Sequence, residues 1–167
     1  VASNSTIRGM TITGFKGDGT LNGCGIAVDG DNNVIEGNFL GTNAAGDSNL
    51  GNGNSGIIIV EGADGNRIGG PTPAQRNVIS GNYGHGVQIG NAVVHAGASN
   101  NRIIGNYIGV APDGETPLGN GYTGVAVFYT TSTNNQIGGT ATGERYIIAG
   151  NGQHGVGPDQ GTSGNLV

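Results

Sequence analysis

The sequence predicts an all-β fold, a parallel β-helix of about five turns with three short strands per turn, formed by residues 1–167 as a single domain. Three observations predict it. The phrase Asn-x-Ile-x-Gly recurs at steps of 28 to 35 residues, apolar residues alternate in runs of three to five, and glycine and asparagine separate those runs. Repeats of this length are typical of solenoids, in which no turn can bury its apolar face alone.

The recurring phrase is the predicted first strand of each turn. Clear copies begin at Asn33, Asn66, Asn101 and Asn135, a looser copy begins at Ser5, and another start is seen at Asn165. Equivalent residues of stacked turns lie about 4.8 Å apart in columns. The five asparagines are therefore predicted to form a ladder of side-chain amides, at a corner where asparagine also tolerates left-handed backbone. The isoleucines two residues later are predicted to face the core.

Two further sets of short apolar segments predict the second and third strands. The second set is 10–14, 38–41, 77–81, 106–109 and 146–150, and the third set is 25–28, 56–59, 86–89, 124–127 and 155–157. Such segments, bounded by Gly and Asn, are strands rather than helices. The position of the loops alternates between turns. In turns two and four the long loop follows the second strand, at 42–54 and 110–123. In turns three and five the extra residues precede the second strand, at 71–76 and 140–145. The true repeat is thus about two turns.

Composition excludes several classes of protein. Glycine accounts for 37 of 167 residues without a Gly-X-Y period, which excludes collagen. The net charge of −5, with only six Lys and Arg, disfavours a nucleic-acid partner. No apolar run approaches the length of a membrane span. The single Cys24 excludes a disulfide framework and a cysteine-based metal site. The chain starts at Val1 without a signal peptide, as a processed or trimmed chain would.

The repeats resemble those of a known group of proteins. The stretches NVIEGNFLGTNAAGDSNLGNGNSGIIIV, NRIGGPTPAQRNVISGNYGHGVQI and NRIIGNYIGVAPDGETPLGNGYTGVAVF are similar to the right-handed parallel β-helix repeats of bacterial secreted and surface proteins of the pectin-lyase-like superfamily. The resemblance implies a right-handed superhelix, an extracellular or cell-surface location, and carbohydrate as a contact. It does not select a function, because that superfamily includes lyases, hydrolases, epimerases, adhesins and inert solenoids.

Acidic residues cluster where the third strand leads into the next turn. Asp31 and Asp64 both precede a ladder asparagine by two residues, so they are predicted to stack on adjacent turns, with Asp29 and Glu61 nearby. Three interpretations stay open, namely a solvated acidic edge, a Ca²⁺ site, and the carboxylate pair of a glycoside hydrolase. The solvated edge is favoured, because the column continues as Ser99, Thr133 and Ser163.

Histidines and Asp-Gly loops carry weaker signals. His85 and His154 share a column two turns apart, about 10 Å, which is too far for one metal ion. His95 stands in an insertion with no acidic partner nearby in the sequence. The loops 16–19, 46–49 and 112–115 lack the alternating acids of calcium loops and are predicted to be turns. Aromatic residues for sugar stacking are few, with Phe39 and Tyr107 in equivalent positions and Phe128 beside Tyr129.

The sequence therefore predicts a non-enzymatic extracellular structural solenoid, with no catalytic residue, metal or cofactor. It would act as a spacer, a scaffold or a head-to-tail fibre subunit. Val1 to Asn4 is too short to cap the first turn, and Val167 falls at the same phase of the repeat as Ile7. Two accounts of the ends follow, of which a piece of a longer solenoid is favoured over head-to-tail stacking of copies into a fibre. The alternative functions are a carbohydrate-binding or adhesin module and, less favoured, a polysaccharide lyase or hydrolase.

Overall fold

The computed structural model describes residues 1–17, 22–60, 62–91, 97–158 and 162–167. Within them, each turn contributes one strand to each of three sheets. The first sheet contains β1 (Thr6–Arg8), β4 (Val34–Glu36), β7 (Arg67–Gly69), β10 (Arg102–Ile104) and β13 (Gln136–Ile137). The second contains β2 (Thr11–Ile12), β5 (Phe39–Leu40), β8 (Val78–Ile79), β11 (Tyr107–Ile108) and β14 (Ile147–Ile148). The third contains β3 (Ile26–Val28), β6 (Ile57–Ile59), β9 (Val87–Ile89), β12 (Val125–Val127) and β15 (Val156–Pro158).

Every strand pairs in parallel with its equivalent one turn along, as the repeat phrase predicted. In the first sheet Ile7 pairs with Ile35, Ile35 with Ile68, Ile68 with Ile103 and Ile103 with Ile137. The prediction of a parallel β-solenoid of about five turns, of the right-handed type, is confirmed. The register follows the repeat because a slip of one residue would turn each isoleucine away from the core.

The core is a narrow aliphatic stack in the middle of the solenoid. Ile35, Ile68 and Ile103 are fully buried, as are Leu40, Ile79 and Ile108 of the second sheet and the paired Ile and Val residues of β6, β9 and β12 in the third sheet. Burial falls in the outer turns, where Ile7, Ile148 and Val156 are only partly covered. The predicted core columns are therefore confirmed, and the middle turns hold the best-buried part of the fold.

The loops also alternate as predicted. Both long loops after the second strand close on themselves, through antiparallel bridges between Thr42 and Asn49 and between Val110 and Pro117. The loop 71–76 contains a short 3-10 helix, Pro73–Gln75, that the strand pattern did not predict. Prolines that fix φ near −65° favour such a turn, so the local signal was Pro71-Thr72-Pro73 rather than any helical periodicity.

Three corners connect the sheets. The first corner joins the first sheet to the second, the second corner joins the second sheet to the third, and the third corner joins the third sheet to the first sheet of the next turn. Left-handed backbone occurs at the third corner, at Asn4, Asn32, Asn100 and Asn134 with φ of 55° to 59°. The prediction placed this conformation one residue later, at the ladder asparagines. The correction separates two tasks, since one residue makes the bend and the next makes the ladder. The bend residue is asparagine before Asn33, Asn101 and Asn135 and glycine before Asn66 and Asn165.

Candidate functional site

Asparagine ladders line the inside of all three corners. The predicted ladder at the third corner is confirmed. Its first member, Asn33, donates its backbone N–H to Oδ1 of Asn66 at 2.8 Å. The side-chain amides of the next four members are linked in succession at 3.0 to 3.1 Å, from Asn66 through Asn101 and Asn135 to Asn165. Two more ladders were not predicted. The first corner contains Asn38, Asn77 and Asn106, and the second contains Asn52, Asn82, Asn120 and Asn151, with amide contacts of 2.8 to 3.1 Å.

Asn101 shows how one ladder position is satisfied. Its Oδ1 accepts hydrogen bonds from the backbone N–H and the Nδ2 of Asn66, at 2.9 and 3.0 Å. Its Nδ2 donates to Oδ1 of Asn135 at 3.1 Å and to the carbonyl oxygen of Ala63 at 3.0 Å. Asn101 is fully buried. Both the donor and the acceptor capacity of the amide are thus used in the interior, where an unsatisfied polar group is costly.

The acidic cluster at the third corner forms a different kind of column. Asp31 and Asp64 do lie on adjacent turns, as predicted, and Oδ1 of Asp31 accepts the backbone N–H of Asp64 at 2.8 Å. Oδ1 of Asp64 accepts the N–H of Ser99 at 2.8 Å, and Oγ of Ser99 accepts the N–H of Thr133 at 3.2 Å. These oxygens tie neighbouring turns together from the solvent side.

The described residues add no further ligand to a Ca²⁺ site at Asp31 and Asp64. Asp29 contacts the α-amino group of Val1 at 2.9 Å, which lowers the pKa of that carboxyl. Glu61 lies outside the described residues. Among the residues that the structure does describe, no group of three or more His, Cys, Asp or Glu side chains comes together as a metal site. Ca²⁺ therefore stays the alternative interpretation of this corner, and the solvated acidic edge stays the favoured one.

The histidines occupy the column that the repeat predicted, and they differ in surroundings. His85 packs between Tyr122 and Phe128, with ring centroids 5.4 Å from each, and its Nδ1 accepts the backbone N–H of Thr123 at 3.2 Å. Burial lowers the pKa of His85. His154 is exposed, and His95 lies outside the described residues. The hydrogen bond from Thr123 places the proton of neutral His85 on Nε2, so the ring acts here as a packing and hydrogen-bonding group.

A charged network covers part of the outer face of the first sheet. Glu36 is buried there, and its carboxylate lies 2.8 Å from Arg67, 3.1 Å from Nε2 of Gln75 and 3.8 Å from Arg8. The hydrogen bond from Arg67 lowers the pKa of Glu36. The carboxylate of Glu36 is thus paired with arginine and hydrogen-bonded to Gln75. The network therefore holds the loop 71–76 against the sheet and does not present a reactive carboxylate.

Three of the aromatic residues singled out from the sequence are partly covered by neighbouring side chains or chain segments. Phe39 and Tyr107 do share an outward column of the second sheet, separated by Val78, and both are half-buried. The guanidinium of Arg76 lies 4.1 Å from the centroid of Tyr107, a cation–π contact. Phe128 packs against His85. These rings contribute packing, and none forms an open platform for a ligand.

Exposed apolar side chains in the middle turns concentrate at the second corner. In the described part of the chain, seven large hydrophobic side chains are exposed, and four of them belong to the outer ends: Met10, Phe15, Leu166 and Val167. The other three are Leu50, Tyr83 and Tyr122, with exposed fractions of 51%, 73% and 50%. All three lie at the second corner, on turns two, three and four.

A groove lies beside two of these side chains, Leu50 and Tyr83. We call it the corner groove; its floor is formed by Gly51, Gly81, Gly119 and Gly121, and Leu50 and Tyr83 stand at its sides. Its volume is about 550 Å³. The floor must be glycine, because a Cβ on Gly51 or Gly121 would lie 2.2 Å from a carbonyl oxygen of a neighbouring turn. No charged side chain is among the described residues that line it.

Sequence reasoning missed this corner, although a signal was present. Four of the five third strands are preceded by Asn-x-x-x-Gly, starting at Asn52, Asn82, Asn120 and Asn151. The spacing marks the second-corner ladder, and the residues that follow these asparagines form one column. This column contains glycine in three turns and Tyr83 in the fourth. Comparing the columns residue by residue would have identified Tyr83 as the exception.

Comparisons with protein-family models, with curated proteins and with solved structures gave no match for this chain. Within the described ranges, the structure contains no helix that is long and apolar enough to cross a membrane. What the chain does is therefore inferred from its own residues and geometry.

Proposed function

We propose that this chain is a non-enzymatic structural solenoid, a spacer or scaffold of an extracellular or cell-surface protein of the pectin-lyase-like β-helix type. The observation that supports the proposal most is the use of polar groups for architecture. Twelve of the 21 asparagines stand in the three ladders. In the described residues, no buried side-chain nitrogen or oxygen lacks a hydrogen-bond partner.

The acidic corner supports the same choice over an enzyme. A catalytic carboxylate pair needs oxygens directed at a substrate. Oδ1 of Asp31 and Oδ1 of Asp64 instead accept backbone N–H groups of the following turns. The charged network at Glu36 is likewise closed by Arg67 and Gln75. The carboxylates with the most defined contacts are thus engaged in holding turns and loops together.

The experiment duplicates one two-turn repeat, residues 66–134, in tandem. A spacer gains length, by about 10 Å for two added turns, and keeps or raises its thermal midpoint because each added turn brings its own core and ladders. Small-angle scattering gives the length and calorimetry gives the midpoint. Loss of folding or an unchanged length would contradict a spacer. Polysaccharide turnover by the parent chain is assayed through the release of reducing ends and the absorbance of unsaturated products. Detectable turnover would show that the chain is an enzyme and would contradict the structural role.

The outer turns fit the same proposal if further parallel strands continue them, from a longer chain or from a second copy. Met10 and Phe15 at one end and Leu166 and Val167 at the other are exposed by 52% to 73%. Negative-stain electron microscopy of the chain at neutral pH distinguishes the arrangements. Long thin fibres indicate head-to-tail assembly of copies, whereas isolated short rods exclude that assembly and leave the spacer role to a single solenoid.

A further inference from the structure

We infer that the outer face of the second sheet binds a second copy of this chain, side by side and antiparallel, through ion pairs. This inference concerns a side of the solenoid and does not depend on the spacer role. It starts from the two-turn repeat, which places Arg76 and Arg145 at equivalent positions before the second strand. Asp47 and Glu115 likewise occupy equivalent positions in the two long loops that follow that strand. We call these four residues the charged row.

The charged row lies along the outer face of the second sheet. The guanidinium of Arg76 is 4.1 Å from the ring centroid of Tyr107, an outward residue of that sheet. Gly114, which precedes Glu115, lies against the same ring, because a Cβ on this glycine would be 3.1 Å from the hydroxyl oxygen of Tyr107. A basic and an acidic residue thus flank one outward side chain.

The same arrangement recurs along the outward column of this sheet. Gly46, which precedes Asp47, lies beside Phe39, since a Cβ on this glycine would be 3.0 Å from Cε1 of the phenylalanine ring. Arg145 stands two residues before Ile147, another member of the column. The two acidic loops and the two arginines therefore belong to one surface.

The sign of the charge alternates from turn to turn. It is negative in turn two, positive in turn three, negative in turn four and positive in turn five, at steps of about 4.8 Å. Such a row is complementary to its own reverse. A two-fold axis between turns three and four places Arg76 opposite the partner's Glu115 and Arg145 opposite the partner's Asp47, and it repeats both pairs in the opposite sense. Two-fold contacts of this kind are the commonest in homo-oligomers.

The charges of the row are available for a partner. In the described part of the chain, none of the four residues has an oppositely charged group within 4.0 Å. Arg67 and Arg102 differ, because each lies 2.8 Å from a glutamate of the same chain. Three members of the row are exposed. Arg76 is half-buried, and its cation–π contact holds the guanidinium in place at the surface.

The balance of charge selects a second copy as the partner. The chain carries a net charge of −5, so nucleic acid and anionic membranes are repelled by the molecule as a whole. A polycation would leave both arginines of the row opposite a like charge. A partner that presents both signs in the reverse order satisfies all four residues, and this chain carries that order itself.

The test is sedimentation equilibrium of the full chain over a concentration series, in about 20 mM and about 500 mM NaCl. We expect a monomer–dimer equilibrium whose affinity falls by at least about tenfold at the higher salt, because exposed ion pairs are screened. Arg145→Glu places a like charge opposite the partner's Asp47 and is expected to weaken the dimer by at least about tenfold. Lys16→Glu makes the same change of charge at an exposed residue outside the row. It is the matched control, expected to associate within about threefold of the parent chain.

Exchanging the charges gives the sharper test. Arg145→Glu combined with Asp47→Arg restores opposite charges to every pair and keeps the net charge of the parent chain. The affinity of the dimer should therefore return to within about threefold of the parent value. Arg145→Glu combined with Glu115→Arg places like charges in every pair, and it should abolish the dimer.

Several outcomes would overturn the inference. They are a monomer at every concentration, a dimer that Arg145→Glu leaves unchanged, equal weakening by Lys16→Glu, and no recovery when Asp47→Arg is added to Arg145→Glu. Recovery with Glu115→Arg instead would mean that the copies lie parallel, which also contradicts the antiparallel contact. Thermal midpoints of all variants show whether each one is folded. A monomeric chain would leave the spacer role standing, since the duplication of residues 66–134 tests that role separately.

Discussion

Two columns at the third corner lie two residues apart along the chain and behave differently. The inner column, with Asn66, Asn101 and Asn135, is buried, and its amides bond to one another. The outer column, with Asp31 and Asp64, faces water, and each carboxylate accepts one backbone N–H from the next turn. Both repeat at the strand spacing. The difference is burial, which decides what the loss of a hydrogen bond costs, because water can replace a partner only in the outer column.

The largest expected effect comes from a charge placed in the inner column, by Asn101→Asp. The carboxylate keeps the acceptor role toward Asn66 but faces the carbonyl oxygen of Ala63 and Oδ1 of Asn135 without a proton to donate. We expect a loss of about 5 kcal/mol in the free energy of unfolding at pH 7, the cost of an uncompensated buried charge.

The pH dependence of that variant checks the cause. Burial and two facing acceptors raise the pKa of the new carboxyl above its unfolded value of about 3.9. The difference in the free energy of unfolding between the parent chain and the variant should therefore be smallest below about pH 4. It should grow as the pH rises, by up to about 1.4 kcal/mol per pH unit. Urea unfolding of both chains at several pH values measures it. A deficit that does not change with pH would mean that the position is not buried in the native state.

Asn101→Ala comes next, because it removes the amide without adding a charge. It leaves the backbone N–H and Nδ2 of Asn66 and the oxygens of Ala63 and Asn135 short of a partner. We expect a loss of about 3 kcal/mol. Thermal and urea unfolding measure it, with Asn100→Gly as a neighbouring control, since Asn100 has φ of 57° and glycine adopts that conformation freely. Equal losses in the two variants would argue against the ladder.

Glu36 lies between the two extremes, on an outer face but under a loop. Glu36→Gln weakens the contacts with Arg67 and Arg8, and we expect a loss of about 1 kcal/mol at pH 7. Because the folded pKa of Glu36 is lowered, its contribution is present above the unfolded value of about 4.3 and is lost as the pH falls through the folded pKa. The parent and variant unfolding curves should therefore converge below about pH 4; curves that stay apart there would show that the amide disturbs the loop packing instead.

The same contrast explains how much of the fold and of the groove the sequence could predict. The isoleucine columns and the Asn33 ladder were predictable, because strict repetition of a residue type at one phase of the turn has few causes other than stacking. The ladder at Asn52 was not recognised, because its strand lies four residues away across a turn. The corner groove was not predictable from periodicity at all. Tyr83 breaks the pattern of its column, and its significance depends on exposure, which only the folded chain defines.

The smallest effect is expected at Asp64, and it tests the outer column directly. Asp64→Ala removes the acceptor for Ser99, whose N–H water can then reach, so we expect a loss of about 0.5 kcal/mol or less. Asp64→Asn keeps that acceptor and removes the like charge stacked on Asp31. Its free energy of unfolding should therefore match or slightly exceed that of the parent chain at low salt, with the gain fading as salt is added.

A thermal midpoint raised by millimolar CaCl₂ in the parent chain but not in Asp64→Asn would instead assign the corner to Ca²⁺, since binding to the native state alone raises its stability. A loss at Asp64 as large as that at Asn101 would mean that the carboxylate is shielded from water in solution, and burial would no longer separate the two columns.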